Sequence, residues 1–238
     1  NNNNNNNNTP QSNLVCARHG LAGIGALTDH GIEKGHGWEE KDYKSVYNHG
    51  RGGQLWRFRN FLLDHLNLPT NTDPPKGPPY RIVFSEHSSD MGHRSLDFSE
   101  FVKALKATPA IASMVDIVQV QMKDLSLLQQ TELVGQAAIY VTGCGGGAVT
   151  ATLLPRGASL LVFYSEVGGV ENSKSSGKPA RLDWDYFNNM AYLRVHWVTQ
   201  PKSRRRVQPQ QLNLFTELVL QELDLIQRQQ EKQEEQPL

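Results

Sequence analysis

Cysteine is scarce in this chain, with Cys16 and Cys144 the only two in 238 residues. Two thiols so far apart form neither a disulfide framework nor a metal-ligand cluster by spacing, and they leave the redox compartment open. An excess of charge of one sign is missing too. Lys and Arg total 24 against 24 Asp and Glu, whereas a surface built to hold a nucleic-acid backbone carries a clear basic excess. Nothing approaches the roughly 18 consecutive apolar residues of a membrane-spanning helix. Apolar residues make up 38 % of the chain, enough for a packed core with ample loops. An initiating methionine is also lacking. The chain opens on a run of asparagines and reads as a piece of a longer protein, which leaves a membrane anchor or signal upstream open.

What is present falls into segments. Residues 1–13 are low-complexity and polar, with no apolar surface to offset the entropy of ordering. Residues 14–71 contain one strong element, a helix over Gln54–Leu66 carrying Leu55, Phe58, Leu62 and Leu66 at helical spacing. Residues 72–79 are rich in proline and read as a stiff linker at a domain boundary. Residues 80–200 then alternate regularly. Strands are expected over Arg81–Phe84, Val115–Val120, Ala138–Val141, Ser159–Tyr164 and Leu193–Val198. Between them Asp97 is placed to cap a helix carrying Phe98, Phe101, Val102 and Leu105. Ser126 and Gln129 form a capping box, a short helix can follow the glycines after Val141, and another is expected over Trp184–Ala191. Short connections between alternating strands and helices imply right-handed crossovers. The fold class is therefore α/β, a Rossmann-like, doubly wound parallel sheet covered on both faces. In residues 201–238 an apolar seam of Leu212, Phe215, Val219 and Ile226 is expected to dock on the body as a helix, before a solvated Gln- and Glu-rich tail.

The sharpest local signal is Tyr140-Val141-Thr142-Gly143-Cys144-Gly145-Gly146-Gly147-Ala148-Val149-Thr150, where the third strand runs into glycines. Glycines permit a tight turn and a close approach to a ligand. If a helix starts there, its free amides and positive dipole end suit a phosphate or diphosphate. The run is neither a Walker loop nor a dinucleotide fingerprint. Three readings stand at this point: a plain glycine turn, an anion site, and a nucleophile elbow in which Cys144 would need His196 or His87 as its base.

These residues resemble the donor-site segment of glycosyltransferase family 61. In that family a helix of the type LSxxEQ precedes a strand and then HGAGLTNxxFLPPGA; here Leu125-Ser126-Leu127-Leu128-Gln129-Gln130 is followed by Cys144 to Ala158, aligned without a gap. Tyr80 to Ser85 with Arg94 to Glu100, and Leu193 to Trp197, are similar to flanking motifs of the family. The likeness covers about residues 79–200. Two departures stand out: Cys144 replaces the family's histidine, and Glu86 replaces the arginine after the strand-end serine.

The resemblance implies a GT-B architecture, two Rossmann-like domains facing a cleft, of which this chain would hold the donor-binding domain and the end of the other. It implies transfer of a sugar, with inversion, from a nucleotide-sugar donor, in the first instance a UDP-sugar, to a hydroxyl of a glycan or glycoprotein, in the Golgi or endoplasmic reticulum lumen. No cofactor and no metal are expected, because basic groups and a helix dipole offset the charge on the leaving diphosphate. On this reading Gly145, Gly146 and Gly147 hold the phosphates, with Arg94 on the diphosphate and Glu166 on the ribose. Ser85, Cys144 and Thr150 complete the donor pocket. Asp29 and His30 are the candidate catalytic pair from the acceptor side, with His49 a further choice. Residues 14–71 are too short for a whole second domain, so donor binding without turnover is expected of the chain as it stands. The two departures motivate a rival, a catalytically silent nucleotide-sugar-binding protein; a cysteine hydrolase is the third option.

Overall fold

The computed structural model describes residues 52–70, 73–74, 76–86, 96–164, 186–187, 189–201 and 207–235. Five parallel strands form one sheet in the order β2-β1-β3-β4-β5: β1 Tyr80–Glu86, β2 Val115–Gln121, β3 Ile139–Gly143, β4 Ser159–Tyr164 and β5 Arg194–Thr199. The three inner strands are apolar along their length because both of their faces are covered. β2 and β5, at the edges, are only half-buried.

Strand periodicity divides the core in two. Tyr80, Ile82 and Phe84 of β1, Ile139 and Val141 of β3, and Leu161 and Phe163 of β4 face α2 (Ser99–Ala107), the short α3 (Pro109–Ala112) and the C-terminal helix Pro209–Glu235. Aromatic rings dominate there. Phe101 packs edge-on against Phe163 at 5.1 Å and against Phe215 at 4.9 Å between centroids, within the range where such pairs add to area burial. The intervening residues Val83, Tyr140, Leu160 and Val162 face α1 (Gly52–His65), α4 (Leu127–Gly135) and a 3₁₀ helix, Gly146–Leu153.

Local chemistry sets the boundaries. The capping box is formed: Ser126 Oγ accepts from the Gln129 amide at 3.3 Å, and Gln129 Oε1 accepts from the Ser126 amide at 2.9 Å. Asp97 acts one residue further out than expected. Its carboxylate accepts the Ser99 amide at 2.8 Å, while Phe98, expected on the helix, occupies the flanking position and buries its ring in the core. Those bonds to Ser99 hold the Asp97 carboxyl below its usual range. The short helix after the glycines takes the tighter 3₁₀ form. Of the helix expected over 184–191, Tyr186 and Phe187 are helical and Asn189 to Leu193 already turn.

The C-terminal seam docks as expected, with Phe215, Val219, Leu223 and Ile226 buried. The helix continues to Glu235, through residues read from the sequence as a solvated tail. Gln, Glu, Lys and Arg are good helix formers, and i,i+4 contacts from Arg228 to Asp224 and from Gln227 to Glu231 support the exposed turns. α1, upstream of the proline stretch, packs directly on the second face. Leu55 lies in that core, Trp56 meets Tyr192 at 4.9 Å, and Gly52 is so close to Asn189 and Ala191 that a Cβ there would fall 2.6 Å from the Asn189 carbonyl.

One buried carboxylate fastens the C-terminal helix to the sheet. Glu222 accepts a short hydrogen bond from Ser159 Oγ on β4, lies 2.6 Å from Arg194 Nε on β5, and lies 2.9 Å from the otherwise unsatisfied His196 Nε2. Burial pushes its pKa up, but the His196, Ser159 and Arg194 contacts outweigh that and hold it down to about 2. A folded-state pKa below the ordinary 4.5 means that this stabilisation is complete above pH 4.5 and lost as the pH falls toward 2. Glu222→Gln is expected to lower stability by about 2 kcal/mol at pH 7. It should also flatten the acid limb in urea unfolding followed from pH 6 to pH 2; a variant whose acid limb matches the wild type would remove Glu222 from that role.

Candidate functional site

From β1 the chain crosses to β2 on one side, and β3 lies on the other, so the strand order reverses between β1 and β3. In open parallel sheets the carboxyl ends of two such strands part and leave a crevice where ligands bind. Ser85 and Thr142, register partners, mark this place, and both are buried.

The glycine run lies over it. The Cys144 amide donates to the Phe163 carbonyl of β4 at 2.9 Å, which fixes where the loop leaves the sheet. Gly145 follows with φ 130° and ψ −166°, a conformation that is essentially glycine's alone. The chain then enters the 3₁₀ helix at Gly146, whose first amides have no acceptor within the helix. The helix start sits close above β1: a Cβ on Gly147 would come 3.5 Å from Ser85 Oγ. Tyr140 holds the loop from below, donating its hydroxyl to the Gly147 carbonyl at 3.1 Å. Burial pushes that phenol up to about 12, against the opposing effect of the Ser85, Thr150 and Thr142 hydroxyls beside it, so it stays neutral and keeps its proton for the carbonyl. Amide donors at a helix start, with hydroxyls around them, form an arrangement suited to an anion. A water-sized cavity lined by Asp73, Gly157, Ile226 and Gln229 lies instead at the amino end of β4 and has no link to this edge.

The structure thus brings together Ser85, Cys144, Gly145, Gly146, Gly147 and Thr150. Arg94, Glu166, Asp29, His30, His49 and His87 lie outside the described residues. Glu86, at the end of β1, accepts a hydrogen bond from Gln119 Nε2 at 3.1 Å. His196 does not serve as a base for Cys144. It faces Glu222 of the C-terminal helix, whereas Cys144 packs against the core on the opposite face. The cysteine-nucleophile option thereby loses one of its two histidines.

Two contributors escaped the sequence reading. Tyr140 opens the glycine signal in the sequence but carries no role of its own there, although a phenol inside a fully buried strand must find a partner for its hydroxyl. Arg59 sits on the buried stripe of α1, four residues from both Leu55 and Leu63, and is itself fully buried. A charge on an apolar stripe was the available signal.

The two flanking glycines should answer differently to a methyl group. Gly145→Ala forces an L-residue into a glycine-only conformation and is expected to cost about 1–3 kcal/mol in urea unfolding. Gly147→Ala places its Cβ at an ordinary contact distance and should unfold like the wild type. Equal behaviour of the two would mean that the loop does not have this backbone.

No family model matches the chain. Curated relatives do. A protein O-linked-mannose β-1,4-N-acetylglucosaminyltransferase 2 from Bos taurus is 27 % identical over 154 residues, which are 63 % of this chain and 24 % of that protein. The Homo sapiens protein of the same name is 26 % identical over the same shares. The Mus musculus one is 24 % identical over 195 residues, 79 % of this chain and 31 % of that protein. The chain therefore spans about a quarter to a third of the length of the relatives it matches. Among solved structures, the metal-soaked flavodiiron core of Synechocystis sp. PCC6803 aligns with a TM-score of 0.37 at 11 % identity over 65 % of this chain and 37 % of that one, a likeness too distant to carry weight. The curated relatives are glycosyltransferases by name, and they support the resemblance to glycosyltransferase family 61 read from the capping-box helix and the glycine loop.

Proposed function

We propose that this chain carries the donor-binding part of a glycosyltransferase of GT-B architecture. The enzyme would move a sugar from a nucleotide donor, a UDP-sugar, to a hydroxyl of a glycan or glycoprotein with inversion. The observation that supports this most is the glycine loop at the β1/β3 crevice, in a segment similar to named glycosyltransferases. The free amides at Gly146 and Gly147 would hold the diphosphate without a metal, and the hydroxyls of Ser85 and Thr150 would meet phosphate or sugar oxygens. Arg94 would add a charge to the diphosphate and Glu166 would take the ribose hydroxyls. A base from the acceptor side, Asp29 or His30, would accept the proton of the attacking hydroxyl. No helix among the described residues is long and apolar enough to cross a membrane, and a Golgi or endoplasmic reticulum setting follows from the resemblance alone.

A second reading, a protein that binds the nucleotide sugar without turnover, is favoured by a specific pair of residues. Cys144 stands where the family has histidine, and Glu86, an acidic residue at the end of β1, stands where it has arginine. Both would reduce the positive potential that a leaving diphosphate needs.

Calorimetry with UDP tests the common part of both readings. The wild-type chain should bind. Gly147→Val, whose branched side chain fills the space beside Ser85, should lose about tenfold or more in affinity, that is about 1.4 kcal/mol, while its circular dichroism stays unchanged. Undiminished affinity in that variant would take the loop out of the site. A chain as long as the relatives, assayed for transfer, then separates the two readings: binding with turnover supports the enzyme, and binding without it the silent form.

A further inference from the structure

The amino end of the 3₁₀ helix forms the loop, and its other end is held in an unusual way. A helix leaves its last carbonyls without intrahelical donors, and here three consecutive ones are served by side chains. Tyr192 donates its hydroxyl to the Thr152 carbonyl at 2.9 Å. Arg59 Nε donates to the Leu154 carbonyl at 2.8 Å and to that of Leu153 at 3.3 Å. The same guanidinium donates through Nη1 to the Thr70 carbonyl at 2.8 Å and to Asn60 Oδ1 at 3.0 Å, and it lies 4.6 Å from the centre of the Trp56 ring. Desolvation lowers its pKa to about 10, which leaves it protonated at neutral pH. A cation at this end is also where the peptide dipoles favour one.

We infer that Arg59 is a positioning residue for the phosphate loop, through which the segment upstream of the proline stretch sets the geometry of the donor site. The link is short. At a rise of about 2 Å per residue, the helix from Gly146 to Leu153 is about 16 Å long, and Ala148 and Ala151 bury it against the sheet. A shift imposed at Leu153 is therefore delivered to the amides at Gly146 and Gly147 rather than absorbed on the way. Arg59 reaches three stretches of chain at once: its own helix, the residue that enters the proline stretch, and the end of the loop helix. Lysine, a point charge without a fork, does not reproduce this. The role in donor binding rests on the function proposed above; the coupling between Arg59 and the loop does not.

The experiment compares Arg59→Gln and Arg59→Lys with Leu63→Ala, a buried aliphatic change on the same helix that removes no hydrogen bond. Each is measured where circular dichroism shows it fully folded, for UDP affinity and for amide hydrogen exchange over residues 147–151. Arg59→Gln should weaken UDP binding about tenfold and speed exchange in that stretch by a similar factor. Arg59→Lys should recover part of both, and Leu63→Ala should leave both within about twofold. Should Arg59→Gln fail to fold, Arg59→Lys is read by the same two measurements, and a loop that exchanges as in the wild type overturns the inference. Equal losses in Leu63→Ala also overturn it, by reducing Arg59 to a generic stabiliser of α1. If the wild-type chain binds no UDP, the function proposed above fails, and exchange alone decides the coupling.

Discussion

How closely the Gly146–Leu153 helix lies on the sheet governs the rest of the carboxyl edge. This helix makes the crossover from β3 to β4, and it touches the strands through Ala148 and Ala151, both fully buried. Small side chains at those places let its backbone come near enough for the Tyr140 hydroxyl, rooted in the sheet, to reach the Gly147 carbonyl. With that bond made, Gly147 hangs over Ser85 at the end of β1. A longer crossover with bulky residues would lift the glycines off the strand ends and leave Ser85 and Thr142 facing nothing in particular.

Much of the framework could be read from the sequence where the cause is local. The Ser126/Gln129 box depends on two residues three apart, and β4 matched its expected bounds because Pro155, Arg156 and Gly157 turn the chain just before it. The glycine run announced a sharp turn, and Gly145 supplies it. The rest depends on partners distant in sequence. The apolar stripe around position 59 signals that the arginine is buried, but not that its Nε donates to carbonyls more than ninety residues later. The hydroxyl of Tyr140 and the carboxylate of Glu222 likewise acquire meaning only from the strands and helices opposite them. Long helical ends such as 227–235 are misread for another reason: their composition suits solvent and helix equally, and only the docked turns before them decide.

The character of the edge follows from which polar groups it has. Among the described residues, the groups around the loop are hydroxyls and amides, from Ser85, Tyr140, Thr142, Thr150 and the backbone. Such groups suit an anion through directed hydrogen bonds rather than net charge, an arrangement that favours fit over long-range attraction. Glu86, turned toward Gln119 at the end of β1, adds a negative field nearby. On the function proposed above, the two replaced family positions would bear more on how strongly a diphosphate is stabilised than on whether the loop forms.

The C-terminal helix has a consequence for the order of events in the cell. Its Phe215, Val219, Leu223 and Ile226 complete the core against Phe84, Phe101 and Phe163, and near its far end Gln230 Oε1 accepts from the Gly77 amide and the Tyr80 hydroxyl, each at 3.1 Å. The first strand of the sheet is thus finished by residues about 150 positions later in the sequence. During synthesis at about 5–20 residues per second, α2 and α3 follow β1 directly, whereas the part of this face that Phe215 and Val219 cover waits for the C-terminal helix. Over that interval the rings of Phe84, Phe101 and Phe163 lack the Phe215 contacts that complete their packing.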